Sequence, residues 1–173
     1  TASFYRLLKQ NPRDVRLKLL SFDGKLYAYV NKYQPQPGEN IADANIPLLR
    51  LSEAYLNAAE AAVKTGDNAA AVTYLDAIVN RADPDSTVKG LTLTLDNVLN
   101  ERRKELVAEG HRMYDVMRNG LSIKREDVEE SDISRTRHDT PYMDYDRTFY
   151  MIILPIPKRE MDANPNMKQN PGY

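Results

Sequence analysis

Asn100 to Gly120 reads NERRKELVAEGHRMYDVMRNG, and it carries the densest charge and the clearest helical period of the chain. Leu95, Leu99, Leu106, Met113 and Met117 fall as one apolar stripe of a helix. Beside them run Arg102, Glu105, Glu109 and Arg112, at spacings of three, four and three. Residues three and four apart are neighbours on a helix, so this row reads plus, minus, minus, plus along one face. Gly110 interrupts it, at a position where glycine costs about 1 kcal/mol relative to alanine. The pattern predicts a helix from Thr94 to Glu109, a kink at Gly110 and a short helix to Arg118, closed by Asn119-Gly120.

The order Glu101-Arg102-Arg103, Glu105-Leu106, Glu109-Gly110-His111-Arg112, Asp115, Arg118 and Gly120 closely resembles the signature of the SusD/RagB family. Leu154-Pro155-Ile156-Pro157, then Asn164-Pro165-Asn166 and Gln169-Asn170-Pro171-Gly172-Tyr173, resemble that family's C-terminus. Asp14-Val15-Arg16-Leu17 is similar to the segment before its last helical repeat. The resemblance implies a nutrient-binding lipoprotein of the Gram-negative outer membrane that takes up glycans or peptides and passes them to a TonB-dependent, SusC-like transporter. It also implies a longer protein: a lipid-bearing N-terminal Cys and an N-terminal portion would lie outside these residues, and that portion is an expected partner of this one.

Composition narrows the field. The chain has 173 residues and a net charge of −1, so no overall field favours nucleic acid or an anionic membrane. No apolar run reaches the length of a membrane span, and Thr1 to Leu20 has no signal-peptide core. With no cysteine, disulfides, thiolate metal sites and cysteine nucleophiles are excluded within these residues.

Outward from the central stretch, Arg50, Glu53, Asn57, Glu60 and Lys64 form one narrow polar face of a helix that is otherwise apolar or small up to Val63. Gly66-Asp67 closes that helix and caps the next, about Asn68 to Arg81, in which Val72, Leu75, Ile78 and Val79 are expected inside. The pair, residues 46–82, resembles a tetratricopeptide hairpin, and such hairpins need stacked neighbours. Ile46, Leu49, Leu56 and Val63 cannot share a face with Leu48, Tyr55 and Ala62, so one set needs cover from elsewhere. Leu26 to Val30 reads as a strand, Leu121 to Asp146 as a long polar loop, and Phe149 to Leu154 as a short buried strand ended by Pro155. The expected fold class is mainly α, a tetratricopeptide-like α–α repeat domain with a few short strands and long loops. One domain over residues 1–173 is expected, with signature helices at 94–120 and the loop and terminal segment at 121–173.

Glu105 and Glu109 invite comparison with a glycosidase acid pair. The flanking Arg102 and Arg112 argue against it, because guanidinium charge lowers a carboxyl's pKa and a general acid must hold its proton. A structural ion network of Arg102, Glu105, Glu109 and Arg112 is the preferred reading, and no catalytic residue is assigned. His111 stands four residues before Asp115, which predicts a hydrogen bond within the helix. His138 lies in no nucleophile motif, the glycines form no phosphate loop, and Asp144-Tyr145-Asp146 lacks EF-hand spacing, so no metal or cofactor is expected.

Eleven tyrosines without a tryptophan are the feature with a functional slant. Tyr142 and Tyr145 are the ligand-binding candidates, because a flat ring with a polar tip stacks on a sugar face while its hydroxyl hydrogen-bonds. The plainer alternative pins the loop with them. Oligosaccharide is the expected ligand, with peptide second, at the surface of the outer membrane. A soluble tetratricopeptide-like adaptor holding a protein segment is the alternative function.

Overall fold

The computed structural model describes residues 2–22, 28–35, 37–38, 40, 47–124 and 144–173. The described residues are mainly α-helical. Among the described residues six α-helices run in order: α1 Ala2–Lys9, α2 Leu51–Thr65, α3 Asn68–Ala82, α4 Leu95–Glu105, α5 His111–Arg118 and α6 Lys158–Ala163. Two short antiparallel pairs accompany them, β1 Leu20–Phe22 with β2 Ala28–Val30, and β3 Ile123–Lys124 with β4 Asp144–Tyr145. The described residues fall into two compact units, one reaching Arg112 and the other running from Met113.

The first unit is built on the α2–α3 hairpin. Gly66 takes a left-handed φ of 79°, its N–H reaches Val63 O at 3.2 Å, and Asp67 N reaches Ala62 O at 2.9 Å. Those two bonds are the Schellman closure, which needs a residue without Cβ strain at this position. Asp67 then caps α3 by accepting from Ala70 N at 3.0 Å. Leu56, Ala59 and Ala62 of α2 meet Ala71, Leu75 and Ile78 of α3 in one core cluster, which Leu93, Val98 and Leu106 complete. Tyr55 and Val63 pack on the same cluster, so α3 and the α4 region cover α2 from Tyr55 onward, while Leu48 and Leu49 stay exposed and Ile46 lies outside the described residues. Burying side chains such as Leu56, Leu75 and Val98 contributes roughly 1.5–3 kcal/mol each.

Two buried acids and an asparagine fix the connections. Asp76 accepts from Thr87 Oγ1 at 2.5 Å and Val88 N at 2.9 Å. Asn68 donates to Leu91 O at 3.0 Å and accepts from Leu93 N at 2.8 Å, holding the chain just before α4. Asp83 accepts from Asn11 Nδ2 and Ser86 Oγ, both at 2.8 Å, which ties the segment after α1 to the end of α3. These hydrogen bonds hold its carboxyl down to about 2.

The central helix is shorter than its sequence period predicts. Thr94 opens α4 with a reciprocal capping box to Asn97, but α4 ends at Glu105 with Leu106 as its cap. The backbone then turns left-handed at Ala108 (φ 61°) and Gly110 (φ 81°) before α5 begins. The turn persists because its carbonyls are taken from outside: Arg50 Nη2 donates to Glu105 O at 3.0 Å, Lys32 Nζ to Val107 O at 3.2 Å, and Tyr33 OH to Ala108 O at 3.3 Å.

In the second unit α5 closes at Gly120, whose N–H reaches Met117 O at 3.1 Å while Leu121 N reaches Val116 O at 3.0 Å. Phe149 to Leu154 is not a buried strand. Tyr150–Ile152 is a single 3-10 turn, and Met151, Ile153 and Leu154 are exposed. Pro155 and Pro157, which lack amide donors, leave little for a strand partner to bond. The end of the chain is held by Gln169, which accepts from Ile156 N at 2.8 Å and donates to Ile156 O at 2.9 Å.

Candidate functional site

Two polar rows that the sequence sets on separate helices meet in the first unit. Along α2 and its cap residue run Arg50, Glu53, Asn57 and Glu60. Facing them are Glu109, Glu105, His111 and Arg102. Arg50 grips Glu109 with both prongs, Nε to Oε2 at 2.9 Å and Nη2 to Oε1 at 2.7 Å, and its Nη1 donates to Glu105 Oε1 at 3.0 Å. Arg102 donates to Asn57 Oδ1 at 2.6 Å and its Nε lies 4.0 Å from Glu60 Oε2. His111 Nδ1 lies 3.8 Å from Glu53 Oε1, so its carboxylate neighbour is across the fold and not Asp115. Asp115 instead accepts from Arg118 at 2.8 Å.

Glu105 is the hub, with a side chain only 2% exposed. Besides Arg50 it takes Arg81 from α3 and, at 3.3 Å, Arg16 from the segment after α1. Arg16 in turn pairs with Asp14 at 2.7 Å and Glu101 at 2.6 Å, while Lys32 pairs with Glu109. Arg102 is buried beside this cluster and Arg112 is exposed. The two glutamates are thus paired with Arg16, Lys32, Arg50 and Arg81. Sequence spacing pointed to Arg102 and Arg112 because it reports only neighbours on one helix.

Burial alone would raise the Glu105 carboxyl, but hydrogen bonds and charge from Arg81, Ser52 and Arg50 outweigh it and hold the pKa below the usual glutamate value. Burial acts on Glu109 in the same way and is outweighed by Arg50 and Lys32. Both are therefore ionised near neutrality and engaged by guanidinium or ammonium groups, which unfits them to deliver a proton. The cluster fastens four chain segments to the end of α4.

Of the two ligand-binding candidates, Tyr145 belongs to the second unit. Tyr142 and His138 lie outside the described residues. Tyr145, on β4, is half-buried and borders an open concavity of about 530 Å3 shared with Ser122, Asp144, Asp146, Thr148, Phe149 and Tyr150. An aromatic chain runs from it: Tyr145 to Phe149 at 5.4 Å, Phe149 to Tyr150 at 5.3 Å and Tyr150 to Tyr173 at 5.2 Å between ring centres. Asp146 folds the turn below by accepting from Thr148 N at 2.8 Å and Oγ1 at 2.6 Å, bonds that lower its pKa. The lining is thus mixed, with aromatic residues beside carboxylate and hydroxyl groups, a combination that suits an amphipathic ligand. Among the described residues no three of His, Cys, Asp and Glu gather to hold a metal ion. No described helix is long and apolar enough to cross a membrane.

The SusD family model matches residues 23–173. The chain belongs to the SusD family. The family's members are binding proteins rather than enzymes. The chain is 30% identical over 148 residues to the starch-binding protein SusD of Bacteroides thetaiotaomicron, covering 84% of this chain and 24% of that protein. A solved candidate sugar-binding protein of Bacteroides vulgatus is 74% identical, with a TM-score of 0.92 over 100% of this chain and 39% of its own. A second SusD-superfamily structure from that organism is 38% identical, with a TM-score of 0.82 over the same shares. The chain therefore spans about a quarter of the length of the curated relatives it matches.

Proposed function

We propose that this chain is part of a cell-surface nutrient-binding protein that captures a glycan and delivers it to a TonB-dependent, SusC-like transporter, anchored to the outer membrane through a lipidated Cys beyond these residues. The observation that carries the reading is the likeness, at 74% identity over the whole chain, to a structure described as a candidate sugar-binding protein. The starch-binding description of a more distant relative supports a saccharide over a peptide. The ion cluster around Glu105 serves as scaffold in this account. The rings at Tyr145 and Tyr142 serve as the contact surface that this portion offers to ligand.

Calorimetric titration of oligosaccharides into the family-length protein tests the assignment. Tyr145→Ala is expected to weaken binding by about tenfold, the worth of a single ring contact of roughly 1.4 kcal/mol. Unchanged affinity in both Tyr145→Ala and Tyr142→Ala would remove these rings from the site and place capture in another part of the protein. Absence of saccharide binding by the unaltered protein would overturn the reading itself.

A further inference from the structure

We infer that Asn119 is a latent deamidation site, shielded while the end of α5 is closed and converted to aspartate or isoaspartate when it opens. Of the asparagines in the chain, Asn119 alone is followed by glycine. That pair favours the reaction, because no side chain on Gly120 hinders its backbone nitrogen or restricts its approach. The nitrogen gives its proton to hydroxide and attacks Asn119 Cγ. As the new N–C bond forms, the Cγ–Nδ2 bond breaks and ammonia leaves with a proton drawn from water. Water then opens either carbonyl of the five-membered imide, so the net change is amide plus water to acid plus ammonia.

The fold holds both reactants apart from this course. Gly120 N–H donates to Met117 O at 3.1 Å, which keeps the proton on the nucleophile engaged. Asn119 donates from Nδ2 to Asp115 O at 2.8 Å, which directs the carboxamide back over the preceding turn of α5. Gly120 itself sits at a left-handed φ of 67°, and the bond from Leu121 N to Val116 O at 3.0 Å closes the turn around it. Attack requires these bonds to break together. Local opening of the helix end therefore gates the site.

Conversion then tells on the fold. An aspartate at 119 loses the donor to Asp115 O and adds negative charge beside the C-terminal carbonyls of α5, the end of a helix that favours cations. It also stands one turn from the Asp115 carboxylate, which Arg118 already occupies at 2.8 Å. The isoaspartate product lengthens the backbone through the same turn. One opening thus leaves a lasting mark that makes the next opening easier.

The family-length protein is incubated at mildly alkaline pH, both folded and in guanidinium chloride. Peptide mass analysis follows the amide-to-acid change residue by residue. In the unfolded chain Asn119 is expected to convert well ahead of Asn57, which precedes alanine. In the folded protein its conversion should be at least about tenfold slower than in the unfolded one. Equal folded and unfolded rates would overturn the shielding. Unfolded conversion no faster than that of Asn57 would overturn the choice of site. Asn119→Asp supplies one product directly, and a lowered melting temperature is expected of it; an unchanged one would overturn the cost assigned to the new charge.

Discussion

Arg50 and Glu109 form a two-pronged ion pair at 2.9 and 2.7 Å, joining the residue that caps α2 to the turn between α4 and α5. The same guanidinium reaches the Glu105 carboxylate and its backbone carbonyl. One side chain therefore closes the end of α4 and fixes where the hairpin lies against it. Removing Arg50 reduces the charge compensation of two carboxylates whose side chains are 2% and 6% exposed, leaving Arg81 and Arg16 on Glu105 and Lys32 on Glu109.

Arg50→Ala is accordingly expected to destabilise the fold by about 2–3 kcal/mol, less than the cost of leaving a buried charge wholly uncompensated, because Arg81, Arg16 and Lys32 remain on the two glutamates. Arg50→Lys keeps the charge and loses the fork, so it should fall between the two. Urea unfolding of the three proteins checks the order. Equal midpoints for Arg50→Ala and the unaltered protein would show that the cluster contributes no stability.

Acid should loosen the same joint. Asp14, Glu105 and Glu109 have folded-state pKa values below their ordinary ones, and Asp83 is lowered to about 2. A group with a depressed folded pKa contributes stability that is complete above its unfolded pKa and lost as pH falls through the folded one. The melting temperature should hold from neutrality to about pH 5 and then fall steadily toward about pH 2. Thermal melts across that range check it, and a flat profile below pH 4.5 would contradict these assignments.

Much of this joint is written in the sequence, though only by halves. Helical spacing places Arg50, Glu53, Asn57 and Glu60 on one face, and Arg102, Glu105 and Glu109 on another. Spacing within a helix does not say which face meets which, so Arg50, Arg81, Arg16 and Lys32 went unrecognised as the partners of the glutamates. Asp14-Val15-Arg16-Leu17 held the one available signal, a charged pair inside a segment that resembles the family. Helix α4 looked longer than it is because Glu109 fits the period. The turn at Ala108 is held by carbonyl contacts from Lys32, Tyr33 and Arg50, which are distant in sequence. The apolar run at Phe149 to Leu154 misleads for another reason: short apolar runs do not report their own burial.

The hairpin turn offers a local test. Gly66 holds φ 79° with open space around its Cβ position, so only backbone strain opposes a side chain there. Gly66→Ala should cost about 1–2 kcal/mol. Chemical denaturation measures it, and a neutral result would show that the turn relaxes.

At the end of the chain the constraint is steric as well. A Cβ on Gly172 would stand 2.6 Å from the Tyr150 ring, at a φ of +96°. Gly172→Ala should therefore push the terminal turn off Tyr150 and break the bond from Tyr173 OH to Ile153 O. Ring-proton NMR shifts of Tyr150 and Tyr173 should move while those of Tyr55, in the other unit, stay put. Unmoved Tyr150 shifts would mean that the contact is not maintained in solution.

On the proposed reading the full-length protein captures saccharide without cleaving it, and Arg50, Arg81, Arg16 and Lys32 hold Glu105 and Glu109 as scaffold. Prolonged incubation of the family-length protein with an oligosaccharide, followed by mass analysis of the released sugar, checks this. Saturable retention with the sugar recovered at its original length is the predicted result. Shortened sugar from the unaltered protein, lost in a Glu105→Gln variant that remains folded, would contradict it.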